Sequence, residues 1–389
     1  MKDVYIVDIA VRDCLGNNLA ENYAKMAEAT GPQRITRYNP DDFPQVLTTN
    51  GFQLAHPYAE KDNIGFKIAV DLADELASKY TFPKETAVFL GSMALQSAIK
   101  DDFFAAFDNK QRRFSPTKLF MANHDLLSSM IASRLKLEGL STSCNAACSS
   151  SMVNLYFAWL MIQAGETSAA IVGGVESPLW PNFQYYWQCT SAISTVNGGI
   201  CKPFDKSRDG FLQGEGGTLF YICDEQTLRE YNLTPVAVIK SITSGAKVTT
   251  ITAHDKTGEH QGLMIDRALK NANLSLTDIA FFNAHATSTG IGDDIEFDAF
   301  AKKFDNIDIP IVSFKGYIGH TMNASGLLEA AYGIEAVKQG FVQPNFQLTD
   351  PLSPDPRLIT KVTTLHSKHV MKASFGFGGR TSIAIFEAL

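Results

Sequence analysis

The sequence predicts a layered α/β fold made of two similar halves, and three observations carry that expectation. Strand-like apolar runs alternate with amphipathic helical stretches, the alternation starts afresh after about residue 230, and no Pro/Gly/Ser-rich linker separates the two series. Strands alternating with helices build sheets covered by helices. Two series without a linker should pack as one body, with 1–230 as the first half and 231–389 as the second.

In the first half the strands are Val4-Tyr5-Ile6-Val7, the run 86–90, the run 168–174 and the run 218–222, while 66–76 is an amphipathic helix. The second half opens with Val236-Ala237-Val238-Ile239, continues through a helix at 262–272, and adds strands at 279–283, 311–313, 373–375 and 382–385. The stretch after Cys148, Met152-Val153-Asn154-Leu155-Tyr156-Phe157-Ala158-Trp159-Leu160, is apolar on nearly every face, as a helix inside a buried layer would be.

Composition narrows the function classes. The 389 residues are 45% apolar and 19% charged, ordinary for a soluble globular chain. No window approaches the roughly 18 uninterrupted apolar residues of a membrane span, and Met1-Lys2-Asp3-Val4 lacks the layout of a signal peptide, so a cytoplasmic protein is expected. Six cysteines spread over this length fit a reducing compartment, and none of them joins a second Cys/His pair at metal-ligand spacing. The net charge of −7 argues against nucleic acid, and an acidic partner would need a local basic patch.

Three segments carry chemistry. Ala147-Cys148-Ser149-Ser150-Ser151 puts a thiol at a helix start, where unpaired N–H groups and the dipole favour the thiolate and should lower its pKa. Asn283-Ala284-His285-Ala286-Thr287-Ser288-Thr289 and Lys315-Gly316-Tyr317-Ile318-Gly319-His320-Thr321 each place a histidine in a small-residue turn after an apolar run. With the motif at 202–211, Gly214-Glu215-Gly216, Gly292-Asp293-Asp294-Ile295-Glu296 and the terminal Ser374-Phe375-Gly376-Phe377-Gly378-Gly379, these segments occur in an order and spacing that resembles the β-ketoacyl-acyl carrier protein synthases, from about Val4 to Phe386. The chain is also similar to the ketosynthases of bacterial type II clusters that make aryl polyenes.

The resemblance implies the thiolase fold, five layers αβαβα with two buried mixed sheets, and an obligate dimer, either of this chain with itself or with a ketosynthase-like chain-length factor. It implies acyl transfer to Cys148 and then decarboxylative condensation with a malonyl thioester, His285 and His320 donating hydrogen bonds to the enolate and both being dispensable for acylation. Lys315 and Glu329 would pair to position the histidine segment, the backbone N–H groups of Cys148 and Phe377 would form the oxyanion hole, and Asp293 and Glu296 would tie down the loop after His285. The resemblance implies no permanently bound cofactor. The phosphopantetheine arm of an acyl carrier protein enters as substrate and would meet Thr287 and Thr289, while Arg112, Arg113 and Arg208 would steer the acidic carrier. His254 and His260 flank a loop near the site. Departures are Ala286 in place of glycine, Arg380-Thr381 after Gly378-Gly379, and a short loop at 247–259. A thiolase would need a second cysteine near the C-terminus, and the last one is Cys223.

Overall fold

A computed structural model describes residues 2–58, 63–111, 113–196, 198–249, 255–305 and 307–389. The first half supplies β1 (Val4–Arg12), α1 (Ile64–Lys79), β2 (Ala87–Gly91), α2 (Ala94–Asp108), α3 (Leu126–Arg134), β3 (Ser141–Thr142), α4 (Ser150–Ala164), β4 (Ala169–Glu176) and β5 (Gly216–Asp224). The second supplies β6 (Ala237–Ala246), α5 (Glu259–Ala272), β7 (Ile279–Asn283), α6 (Gly290–Phe304), β8 (Ile311–Val312), α7 (Ser325–Gln339), β9 (His369–Gly376) and β10 (Arg380–Ala388). Every strand and helix expected above is present, and α2, α3, β3, α6 and α7 are additional.

The strand order is β8-β7-β9-β10-β6-β1-β5-β4-β2-β3. From β1 outward the pairings run antiparallel, antiparallel, parallel, parallel, and from β6 outward they repeat that sequence. The repeat of five strands is the physical form of the sequence restart. The two five-stranded sets are not separate sheets: β1 and β6 pair antiparallel at Val4↔Ile239, Tyr5↔Val238 and Ile6↔Ala237, joining them edge to edge.

Helices α4 and α7 touch each other and strands of both sets, so they form the middle layer, and one apolar core runs through Met152, Leu155, Leu327, Tyr332 and the strands on either side. Outside the first set, α1 and α3 close a second core at Leu72, Leu76 and Ile131. Outside the second, α5 and α6 close a third at Ile265, Phe297 and Phe300. The order is αβαβα. Of the middle helices α7 is buried from Ser325 to Val337, but α4 is not enclosed on nearly every face as its sequence suggested, because Phe157 and Leu160 are 43% and 37% exposed. Among the described residues no helix is long and apolar enough to cross a membrane.

Candidate active site

The chain reaches Cys148 through a strained turn. Ala147 has φ 51°, a left-handed conformation that non-glycine residues seldom adopt, and α4 begins at Ser150 with Ser149 as its N-cap. Ser150 Oγ accepts from Ala146 N at 2.9 Å and donates to Ala147 O at 2.5 Å, fixing the turn. The C-terminal turn approaches so closely that only glycine fits: a Cβ on Gly376 would lie 2.5 Å from Ala146 O. That contact brings Phe377 into the apolar cluster with Cys148, Trp187 and Phe211. On the other side Gly319, with φ 71°, turns the chain into His320.

The three groups singled out from sequence converge. His320 Nε2 lies 3.0 Å from Cys148 Sγ, and the rings of His285 and His320 are 5.6 Å apart, edge to face. Lys315 Nζ donates to Glu329 Oε1 at 2.6 Å, to His285 O at 2.5 Å and to His285 Nδ1 at 3.3 Å. A lysine has only donors to offer, so Nδ1 accepts and the His285 proton resides on Nε2. His320 Nδ1 has no hydrogen-bond partner among the described residues, so nothing pins its tautomer. One histidine is a fixed donor and the other can accept or donate.

The thiol is not lowered as its place at a helix start suggested. Burial pushes Cys148 from 9.0 up to about 12, and Lys315 offsets only part of this. The displacement corresponds to ~4 kcal/mol, whereas a helix N-terminus contributes at most ~2 kcal/mol. His320 is held well below 6.5, first by burial and then by Lys315 and Lys372. The resting pair is therefore a neutral thiol against a neutral imidazole. Alkylation at Cys148, followed by peptide mass spectrometry, should rise about tenfold per pH unit from pH 7 to 10. A plateau beginning below pH 7 would reveal a standing thiolate–imidazolium pair instead.

A cavity of about 430 Å³ opens on these groups, lined by Cys148, His285, His320, Thr287, Thr289 and Phe377 among others. Thr287 and Thr289 have their hydroxyls 3.1 Å apart. The loop carrying them is held by carboxylates: Glu296 accepts from His285 N and Ala286 N, both at 2.6 Å, and Asp293 accepts from Thr287 N and Phe204 N, both at 2.9 Å.

Arg208 departs from the docking role expected of it. Its side chain is 7% exposed, and its guanidinium is taken up by Thr289 O, Asp205 O, Gly290 O and Asp294, so it clamps the turn beside the cavity. Arg113 is exposed, and Arg112 lies outside the described residues, as does His254. His260 is absent from the cavity lining, which takes Lys256 from that loop instead.

Sequence reasoning missed Lys372, whose Nζ donates to Glu329 Oε2 at 2.6 Å, Ala284 O at 3.0 Å and Asn283 Oδ1 at 3.2 Å. A lysine inside the run Val370-Met371-Lys372-Ala373-Ser374-Phe375 was the available signal. Burial alone would push Glu329 up, but Lys315 and Lys372 outweigh it and hold its carboxyl below the usual range.

Two family models match consecutive parts of the chain: "Beta-ketoacyl synthase, N-terminal domain" over residues 72–226 and "Beta-ketoacyl synthase, C-terminal domain" over 236–349. The chain is similar to the chloroplastic 3-oxoacyl-[acyl-carrier-protein] synthase II of Arabidopsis thaliana, at 27% identity over 98% of this chain and 75% of the relative. Among solved structures it is similar to a β-ketoacyl synthase from Burkholderia phymatum STM815, at 23% identity and a TM-score of 0.89 over 100% of both chains. It is also similar to the ishigamide ketosynthase/chain length factor, at 21% identity and a TM-score of 0.87 over 100% of this chain and 99% of the other. At these identities the two structures speak for the fold.

Proposed function

The chain belongs to the β-ketoacyl synthase family and is an acyltransferase-type ketosynthase, and on that premise we propose that it condenses an acyl group held on Cys148 with a malonyl unit, both delivered by acyl carrier protein. The observation that carries this reading is the Cys148–His320 contact at 3.0 Å with His285 beside it in one cavity.

In the first half-reaction Cys148 Sγ attacks the acyl thioester as its proton passes to His320 Nε2. The carbon–sulfur bond of the substrate then breaks, and the departing thiol takes that proton. Because thiol and imidazole both start neutral, no buried ion pair has to be maintained at rest. The backbone N–H groups of Cys148 and Phe377 are the proposed donors to the tetrahedral oxyanion. In the second half-reaction the malonyl carboxylate leaves as CO₂ and its electron pair becomes an enolate, stabilised by Nε2–H of His285 and of His320. The enolate carbon attacks the acyl-enzyme, the bond between the acyl carbon and Cys148 Sγ breaks, and the thiolate takes the Nε2 proton of His320, which a proton from solvent at Nδ1 replaces. The two roles require opposite tautomers of His320, which its unpartnered Nδ1 permits.

The halves divide the work: 1–230 supplies the nucleophile and 231–389 supplies both histidines. Thr287 and Thr289 are suited to the amides of a phosphopantetheine arm, since their hydroxyls line the cavity. A second subunit, this chain again or a ketosynthase-like partner, would cover the free edge at β3 and the exposed Phe104, Phe107 and Phe120, which are 60%, 71% and 61% exposed.

Incubation with acyl and malonyl carrier-protein thioesters should release CO₂ and give the 3-oxoacyl product. Arg113→Glu should raise KM for the carrier-bound substrate severalfold at low salt, while leaving a short pantetheine thioester unaffected. Equal losses on both substrates would contradict docking at Arg113, and absence of product from every thioester offered would contradict the reaction.

A further inference from the structure

Lys372 sits in the middle of β9, a strand buried from Val370 to Gly376, and its side chain is fully enclosed. A buried lysine is costly unless its donors are met. Here all three are: one on Glu329 and two on Asn283 and Ala284, the residues leading into His285. Lys315 is satisfied in the same manner from the opposite side. Glu329 thus gives one oxygen to each lysine, and Ser325 Oγ also donates to the oxygen that Lys315 takes.

A lysine–glutamate pair alone is neutral. With two lysines on one carboxylate, the group carries a net charge of +1 (two positive, one negative) at pH values below about 8, to which burial lowers Lys372; it touches His285 through Lys315 and acts on His320 through its charge. The other ionisable groups around it are Glu296 and Asp293 of α6, which burial pushes up to about 8 and about 6, and the buried thiols of Cys148 and Cys201. Glu176 at the end of β4 lies further off, where it acts on Cys148.

We infer that Lys372 is a positioning residue: by occupying the second oxygen of Glu329 it leaves a net positive charge behind His285 and His320, and that charge keeps His320 neutral and favours the anion formed in the cavity. The direction of the field agrees, since Lys315 and Lys372 both lower the proton affinity of His320. The inference rests on the enolate-stabilising role proposed for the histidines.

The test is an NMR titration of His320 in the full-length protein, which needs no turnover, run beside the pH profile of malonyl decarboxylation. Lys372→Met reduces the net charge from +1 to 0 and should raise the titration midpoint of His320 by about one pH unit. The acid limb of decarboxylation should move up with it, and kcat should fall about tenfold with KM little changed. Lys372→Met/Glu329→Gln leaves Lys315 alone, returns the net charge to +1, and should restore the midpoint. Glu329→Gln by itself makes the net charge +2 and should lower it, a prediction that stands even if Lys372→Met does not fold. A purely structural lysine would instead leave the midpoint unmoved in a folded Lys372→Met protein, with the double variant no better. That result overturns the inference. If the variants shift His320 as described while the wild-type protein decarboxylates no malonyl thioester, the functional reading is contradicted and the effect of Lys372 on the charge of His320 stands.

Discussion

Cys148→Ala is expected to abolish condensation, by roughly 10³-fold or more, while malonyl decarboxylation survives. Among the described residues lining the cavity Cys148 carries the one thiol, the group suited to hold the acyl chain as a thioester, but its sulfur takes no part in breaking the malonyl carbon–carboxyl bond. The groups that do are His285, which keeps its Lys315 contact when Sγ is removed, and His320, which loses the thiol contact at Nε2 but stays packed edge to face against Phe211 and His285. Removing one buried sulfur should cost about 1–2 kcal/mol of stability, so the variant should remain folded. Parallel assays of CO₂ release and 3-oxoacyl product check this. Undiminished condensation would end the assignment of Cys148.

The histidine variants should separate from each other. Sequence reasoning expected alanine at either position to spare acylation, but the geometry makes the two unequal. His285 is held with its proton on Nε2 by Lys315, whereas the thiol's hydrogen bond goes to His320. His285→Ala should therefore acylate normally and lose decarboxylation by about 10²-fold, the scale of a lost oxyanion donor. His320 is the only hydrogen-bond partner of the thiol among the described residues, and the thiol is neutral because burial pushes it up to about 12. His320→Ala should lose decarboxylation by a similar factor and slow acylation by about 10²-fold as well. The checks are single-turnover acylation and CO₂ release on both variants. Equal acylation in the two would mean that the thiol proton leaves by another route.

The pH dependence follows with its sign. His320 has a folded pKa below its unfolded value, so protonating the unfolded chain costs stability as pH falls below 6.5, while above 6.5 this group contributes no pH dependence. The neutral imidazole that catalysis needs is correspondingly retained on the acid side of 6.5.

The repeat was legible, as four strands in the first half and five in the second, because apolar runs and helical periodicity recur in both halves and β-pairing satisfies the backbone of each run; β3, two residues long, is too short to leave an apolar run. The Cys148, His285 and His320 segments were legible because turns that must pass close to other backbone demand small residues, and the Gly376 and Gly319 geometries show why. Three things were not. The thiol pKa depends on how deeply Cys148 is buried, which no local pattern encodes. Arg208 looked like a surface cation because its four partners come from 205 and from 289–294. Lys372 becomes meaningful only when β9 is laid against Glu329 of α7. The acyl class is equally non-local: the apolar cluster around the thiol draws Trp187, Phe211 and Phe377 from distant segments.

The central claim is that the acyl group rides on Cys148. Incubating the purified protein with an acyl carrier protein thioester, without a malonyl donor, and mapping the retained acyl mass by peptide mass spectrometry addresses it directly. The account predicts one acyl group per chain, on the peptide containing Cys148, lost on adding the malonyl thioester and absent from Cys148→Ala. An acyl mass on any other cysteine, or none on the wild-type protein while 3-oxoacyl product still accumulates, would contradict it.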